Sequence, residues 1–401
     1  MNAPRLIFAD NNATTAVAPE VVAAMQPFFG PEYFNPSSMY EPALKVAGAL
    51  KAARRTVAEF LGGAEPAEVV FTSCATESNN AAIFGVAAAN PARRHILTSR
   101  VEHPAVLEVC REMQRRGWEV TYLPVDRQGQ IATADFVRAL RPDTLLVSLM
   151  HANNETGVVW PVADWARIAK ETDREIVFHT DATQTAGKLP LDLAGEMQHV
   201  DLLSFSGHKM HAPKGVGALF VRRGTRLRPF LLGGHQESGR RGGTENVAFI
   251  VGLARACELA REHAADMERI ARLRDGLEAD ILRTVTHVEV NGHGVERTPN
   301  TLNLACHFIE GESILYELMS HGICASTGSA CSSGSLEPSH VLRAMDVPFT
   351  AMHGSVRLSF SAYTAEADVR RIAEVFPRVV ADLRKLSPFW DQKHNRPRDD
   401  A

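Results

Sequence analysis

Ser206-Gly207-His208-Lys209 follows the apolar run Leu202 to Phe205, which places a lysine at the end of a predicted strand. Open α/β sheets bind ligands at the carboxyl ends of their strands, so Lys209 faces the crevice where chemistry is to be sought. An amine there forms a Schiff base when desolvation and neighbours lower its pKa; a solvated loop lysine is the plainer reading. Asp181 closes a second run, Ile176-Val177-Phe178-His179-Thr180, and Gln184 follows it. A carboxylate at the end of a buried strand is costly without a cationic partner. The protonated pyridine nitrogen of pyridoxal phosphate (PLP) is one such partner, and capping of the next turn is the alternative.

Other strand ends carry polar residues too. Val69-Val70-Phe71 leads into Thr72-Ser73-Cys74-Ala75-Thr76-Glu77-Ser78, small residues opening a helix. Its free N–H groups and dipole suit a phosphate, or it is a plain N-cap. His103, between Glu102 and Pro104, has a side chain suited to proton transfer, although a lone His is often structural. Asn153-Asn154-Glu155-Thr156-Gly157 offers amide donors to the same crevice, or is simply a turn. Arg357 interrupts the alternation of Val356, Leu358 and Phe360, so it projects from the opposite face, either as a carboxylate-binding fork or as a solvent-facing side chain. Cys331 sits in Ala325-Ser326-Thr327-Gly328-Ser329-Ala330-Cys331-Ser332-Ser333-Gly334-Ser335, too small and polar for core and too glycine-rich for helix. A thiol there is exposed on a loop, and is either reactive or incidental. Ser206-x-x-Lys209 also matches a serine β-lactamase motif, but neither Ser-Asp-Asn nor Lys-Thr-Gly accompanies it.

The elements that must hold these residues are short apolar runs alternating with helical patterns from about Glu68 to Val221. They predict a mostly parallel sheet covered on both faces, with the strand from Gly217 a candidate for antiparallel pairing. Pro19, Pro104 and Pro161 mark helix starts. A single long helix is expected from Glu245 to about Leu282. The remainder reads β, α, β, loop, α, β, α, with strands near 288–290, 301–304 and 356–360, as a smaller α+β domain. The expected division is a large domain over 15–260, a small one from 1–14 and 261–390 carrying the cysteine loop at about 325–336, and a frayed tail at 391–401.

The chain has 401 residues, 45% hydrophobic and 22% charged, with 43 Lys+Arg against 47 Asp+Glu and a net charge of −4. That balance lacks the basic footprint of a nucleic-acid binder. Leu6-Ile7-Phe8 is too short for a signal segment and no long apolar run offers a membrane span, so the reading is cytoplasmic. The six cysteines form no CxxC pair, so spacing proposes neither a zinc site nor a disulfide framework.

Together these pieces resemble the cysteine desulfurases, and within them the NifS type associated with nitrogenase iron–sulfur assembly. The resemblance runs over nearly the whole chain, through Asp10-Asn11-Asn12-Ala13-Thr14-Thr15, Asn35-Pro36-Ser37-Ser38, Ala75-Thr76-Glu77-Ser78, Asn153-Asn154-Glu155, Asp181-Ala182-Thr183-Gln184, Ser206-Gly207-His208-Lys209, Gly242-Gly243-Thr244-Glu245-Asn246 and Gly328-Ser329-Ala330-Cys331. It implies a PLP fold-type-I architecture with a seven-stranded sheet, and a homodimer with active sites near the subunit interface. By that analogy Lys209 carries the cofactor, Asp181 pairs with its ring nitrogen, Gln184 and Asn154 lie near its ring oxygen, and His103 stacks on the ring and handles protons. Ala75, Thr76, Ser206, Gly207 and His208 bind the phosphate, with Thr244 reaching it from the other subunit. Asn35, Asn154 and Arg357 hold the substrate.

The implied reaction takes sulfur from L-cysteine, yields L-alanine and leaves a persulfide on Cys331 for an iron–sulfur scaffold of the NifU kind, with Cys331 also a candidate iron–sulfur ligand through that persulfide. Two positions depart from the family pattern: Phe34 stands where many relatives have Gly, and Thr327 replaces a Ser. A selenocysteine lyase or another class-V aminotransferase would share Lys209 and Asp181, and an aminotransferase would need no loop thiol. A non-catalytic scaffold is disfavoured because Lys209, Asp181, His103 and Cys331 are all present.

Overall fold

The computed structural model describes residues 6–328, 338–394 and 396–398. In chain order its strands begin with β1 (Ile7–Phe8), β2 (Val69–Thr72), β3 (His95–Ser99), β4 (Glu119–Leu123), β5 (Thr144–Met150), β6 (Val177–Asp181), β7 (Leu202–Ser206) and β8 (Gly217–Val221). They continue with β9 (Val288–Val290), β10 (Thr301–Cys306), β11 (Ile323–Cys324) and β12 (Ser355–Ser359). The helices are α1 (Pro19–Met25), α2 (Glu41–Phe60), α3 (Ala75–Ala89), α4 (Pro104–Arg115), α5 (Thr133–Ala139), α6 (Val162–Thr172), α7 (Val247–Glu262), α8 (Asp266–Thr284), α9 (Gly311–Ser320), α10 (His340–Ala344), α11 (Phe349–Met352) and α12 (Glu366–Leu386).

Seven strands form one sheet in the order β2-β8-β7-β6-β5-β3-β4. All neighbours are parallel except β8, which runs antiparallel to both β2 and β7. Most of its strands are buried throughout, which is why they read as continuous apolar runs rather than alternating ones. Separate apolar cores pack on its two faces: Leu97, Val147, Phe178 and Phe205 belong to one, and Ile96, Leu146, Val177 and Leu202 to the other. Because successive parallel strands end on the same side, Ser99, Met150, Asp181 and Ser206 finish at one edge of the sheet. That edge is where the polar residues singled out above converge.

A second, antiparallel sheet, β12-β10-β9, has its own core of Leu302, Leu304, Val356, Leu358, Ile372 and Phe376. β1 pairs in parallel with β11, and Asp10 bridges to Ser359, tying the N-terminal strand to this sheet.

Two expectations need correction, and one strand went unread. The long helix is two, α7 and α8, interrupted at 263–265, where His263 Nδ1 meets Asp266 at 2.9 Å. No helix lies between β9 and β10; Gly292 and Gly294, both at φ +78°, turn the chain back so that Val290 pairs with Leu304, and helix α9 follows β10 instead. β4, a partly exposed edge strand, had no continuous apolar run to betray it.

Candidate active site

A cavity of about 500 Å³ opens at the strand ends, within the range of small-molecule sites. Lys209 and Asp181 both line it, as do His103, Asn154, Gln184 and Arg357. So do Ala75, Thr76, Ser206 and His208. Gly207 is buried just outside it, where an added Cβ would stand 2.9 Å from Ala212. Asn35 and Thr244 are exposed and lie outside the cavity of this chain. Cys331 falls outside the described residues.

Asp181 is fixed from two directions. Thr183 N donates to Oδ1 at 2.9 Å, and Asn79 Nδ2, one turn into α3, donates to Oδ2 at 2.7 Å. Both contacts come from N–H donors and hold the two carboxylate oxygens in place at the strand end. Lys209 Nζ donates to the carbonyl oxygens of Asn12 and Ala13 at 2.7 and 2.8 Å. His103 is the N-cap of α4, and its Nδ1 accepts from Ala105 N at 3.1 Å. A backbone N–H can only donate, so the neutral ring carries its proton on Nε2. Burial lowers the His103 pKa, with the Lys209 and His340 charges acting in the same sense and Asp181 opposing them.

Helix α3 begins at Ala75 with no side chain capping its first turn, leaving N–H groups and the positive end of the helix dipole beside the cavity. His208, whose Nδ1 lies 3.2 Å from Thr14 Oγ1, is pushed down to about 4 by burial and by Lys209, and is neutral at physiological pH. Arg357 is buried rather than solvent-facing: Nη2 pairs with Asp10 Oδ1 at 2.6 Å and Nη1 donates to the Asn154 carbonyl oxygen at 2.9 Å.

Sequence reasoning passed over several residues. Asn12 joins Lys209, Gln184, Thr301 and Asn300 through its backbone and amide. Glu155 accepts from Ser339 Oγ at 2.5 Å. His340 lines the cavity with Nε2 at 2.9 Å from the Glu102 carbonyl oxygen. Asn79 had a legible signal, since it lies four residues after Ala75 and so on the same helix face. Of the two departures, Phe34 stacks on Tyr33 with centroids 4.5 Å apart, and the Thr327 methyl approaches Gly311.

The donor set fits PLP. Buried Ser206 Oγ and Thr183 Oγ1 have no hydrogen-bond partner among the described residues, and both residues line the cavity. Unsatisfied hydroxyls in a cavity that an uncapped helix start also enters suit a polar ligand with acceptor oxygens, such as a phosphate ester. The anchored carboxylate and the lysine amine suit the ring nitrogen and the aldehyde. Fold and site together define a PLP-dependent transferase of fold type I.

The class-V aminotransferase family model matches residues 7–372. Cysteine desulfurase 2 of Trichormus variabilis is 52% identical over 96% of this chain and 95% of that protein. Cysteine desulfurase NifS of Azotobacter vinelandii is 50% identical with the same coverage. Among solved structures, a NifS-like protein superposes with a TM-score of 0.88 at 36% identity, covering 94% of this chain and all of that one. SspA in complex with cysteine gives a TM-score of 0.78 at 35% identity, covering 89% and 99%. The chain therefore belongs to the class-V aminotransferases and, within them, to the cysteine desulfurases.

Proposed function

We propose that this chain removes sulfur from L-cysteine, leaving L-alanine, and holds the sulfur as a persulfide on Cys331 for iron–sulfur cluster assembly. The observation that carries the reading is the single cavity in which Lys209, an Asn79-anchored Asp181, Arg357 and the open start of α3 meet. When bound, PLP supplies an electron sink for bonds at the substrate α-carbon. Asp181 holds the ring nitrogen protonated. Lys209, whose Nζ reaches the cavity, would hold the cofactor through its amine and would serve as the group that moves a proton at the substrate. Ala75, Thr76, Ser206, Gly207 and His208 would hold the phosphate, Gln184 and Asn154 would serve the ring oxygen, and His103 would serve the ring face. Arg357 Nε, buried and without a partner among the described residues, is the donor left for the substrate carboxylate, assisted by Asn35 and Asn154. The Cys331 thiolate attacks the substrate sulfur: an S–S bond forms, the C–S bond breaks, and the carbon takes up a proton to give alanine.

The same reading makes the protein a cytoplasmic homodimer in which Thr244 and Asn35, both exposed and outside this chain's cavity, serve the partner's cavity. Tyr33, Met39 and Leu232, 73%, 92% and 80% exposed, are apolar side chains that such a contact would cover. No helix among the described residues is long and apolar enough to cross a membrane. Residues 15–260 form the large domain, with 1–14 and 261–390 the small one. A NifU-like scaffold is the acceptor and nitrogenase maturation the setting, a reading supported by the NifS name of the Azotobacter relative; Cys331 ligates iron–sulfur species through its persulfide. Cys331→Ala tests the core of this: it is expected to keep the visible absorbance of the bound cofactor and to lose sulfide release from cysteine. Normal turnover by that variant would overturn the assignment.

A further inference from the structure

Lys188 is the charged group beside Lys209 that the chemistry above leaves idle. The residue as a whole is half-buried, with its ammonium turned inward, donating to Gln184 Oε1 at 2.8 Å and more weakly to Asn12 Oδ1 at 3.4 Å. An ammonium has three donors and no acceptor. Gln184 must therefore offer Lys188 its oxygen, which turns its Nε2 the other way, onto the Asn12 carbonyl oxygen at 3.1 Å. That same carbonyl oxygen accepts from Lys209 Nζ. Lys188 and Lys209 also share the wall of a second cavity, of about 40 Å³, behind the main one.

The charged and titratable groups facing Lys188 are nearly all cations or bases. Burial first, then Lys209 and Arg357, push its pKa down to about 7. His208 and His211 are themselves lowered in part by Lys188. The acid of this corner, Asp10, is engaged by Arg357. Among the described residues, the charges that act on Lys188 are those of Lys209 and Arg357, both cations.

We propose that Lys188 is a positioning residue for the cofactor's ring oxygen: it locks the Gln184 amide so that the NH2 end faces that oxygen, and its charge favours the oxygen's ionised form. The inference rests on Gln184 facing the cofactor as described under the proposed function. An oxyanion there supplies the counter-charge that Lys188 lacks, and no bond is made or broken.

The test is a pH titration of the visible cofactor band in the holoenzyme, for wild type, Lys188→Met, Lys188→Gln and Lys188→Arg. Removing a cation near the Lys209–cofactor linkage, and freeing Gln184 to turn its oxygen inward, both favour protonation. The two neutral variants are expected to retain cofactor with a titration midpoint raised by about one pH unit. Lys188→Arg, which keeps the charge and offers only donors, is expected to titrate near wild type. In a Gln184→Leu background the effect of Lys188→Met is expected to shrink. General structural damage would lower cofactor occupancy without moving the midpoint. Neutral variants that titrate at the wild-type midpoint, or lose the cofactor without shifting it, overturn the inference alone. A wild-type protein with no visible cofactor band overturns the proposed function as well.

Discussion

Glu102, the residue before His103, is completely buried, and its replacement by Gln gives a stability change whose size and pH dependence follow from the structure. Its carboxyl accepts from Ser99 Oγ at 2.8 Å and from Met150 N at 3.1 and 3.0 Å. Those bonds favour the anion, but burial outweighs them and, with the Asp181 charge adding to it, raises the pKa from 4.5 to about 8. Between those two values the folded chain keeps a proton that the unfolded chain has released. The stability this carboxyl contributes is therefore complete below the unfolded pKa and is lost as pH rises toward the folded one, at about 1.4 kcal/mol per unit. At pH 7 the loss amounts to roughly 3 kcal/mol. Glu102→Gln does not titrate and retains an oxygen for both donors. It is expected to match wild type at about pH 4.5 and to exceed it by roughly 3 kcal/mol at about pH 7, measured by urea denaturation across that range. A difference between the two proteins that does not change with pH would refute the reasoning.

Arg54→Met removes the two 2.6 Å bonds to Glu237, whose side chain is 2% exposed, and stranding that carboxylate is expected to cost about 3–5 kcal/mol in denaturant unfolding. Adding Glu237→Gln to that variant is expected to recover part of the loss. If Asp181 pairs with the ring nitrogen as proposed, Asp181→Ala is expected to weaken PLP binding on the order of 100-fold, about 3 kcal/mol, in an absorbance titration. Gly354→Ala would set a Cβ 1.8 Å from the backbone oxygen of Cys306, so the variant is expected to lose more than about 3 kcal/mol or to accumulate as insoluble protein.

Much of the sheet was legible because buried parallel strands leave unbroken apolar runs, and the positions following them named Asp181, Ser206 and Lys209 directly. What stayed hidden depends on contacts between distant segments. His263-Ala264-Ala265 contains neither Gly nor Pro, so the break between α7 and α8 leaves no helix-breaking residue in the sequence. Arg357 does leave the apolar alternation as its spacing suggests, but Asp10 and Asn154 cover the face it enters, and alternation carries no information about such a cover. Asn12 is an ordinary polar residue in sequence; its place in the site comes from bonds to partners such as Lys209, 197 residues away. Asn35 and Thr244 follow the family motif yet lie outside this chain's cavity; the resemblance assigns Thr244 to the other subunit's site but does not say which copy Asn35 serves.

The most direct test of the central claim is to incubate the holoenzyme with L-cysteine and no added thiol, then measure alanine and the mass of the peptide containing Cys331. Alanine formed in step with a Cys331 peptide heavier by one sulfur atom is the predicted result. Alanine produced while that peptide keeps its original mass, or no alanine from a protein that binds PLP, would contradict the account.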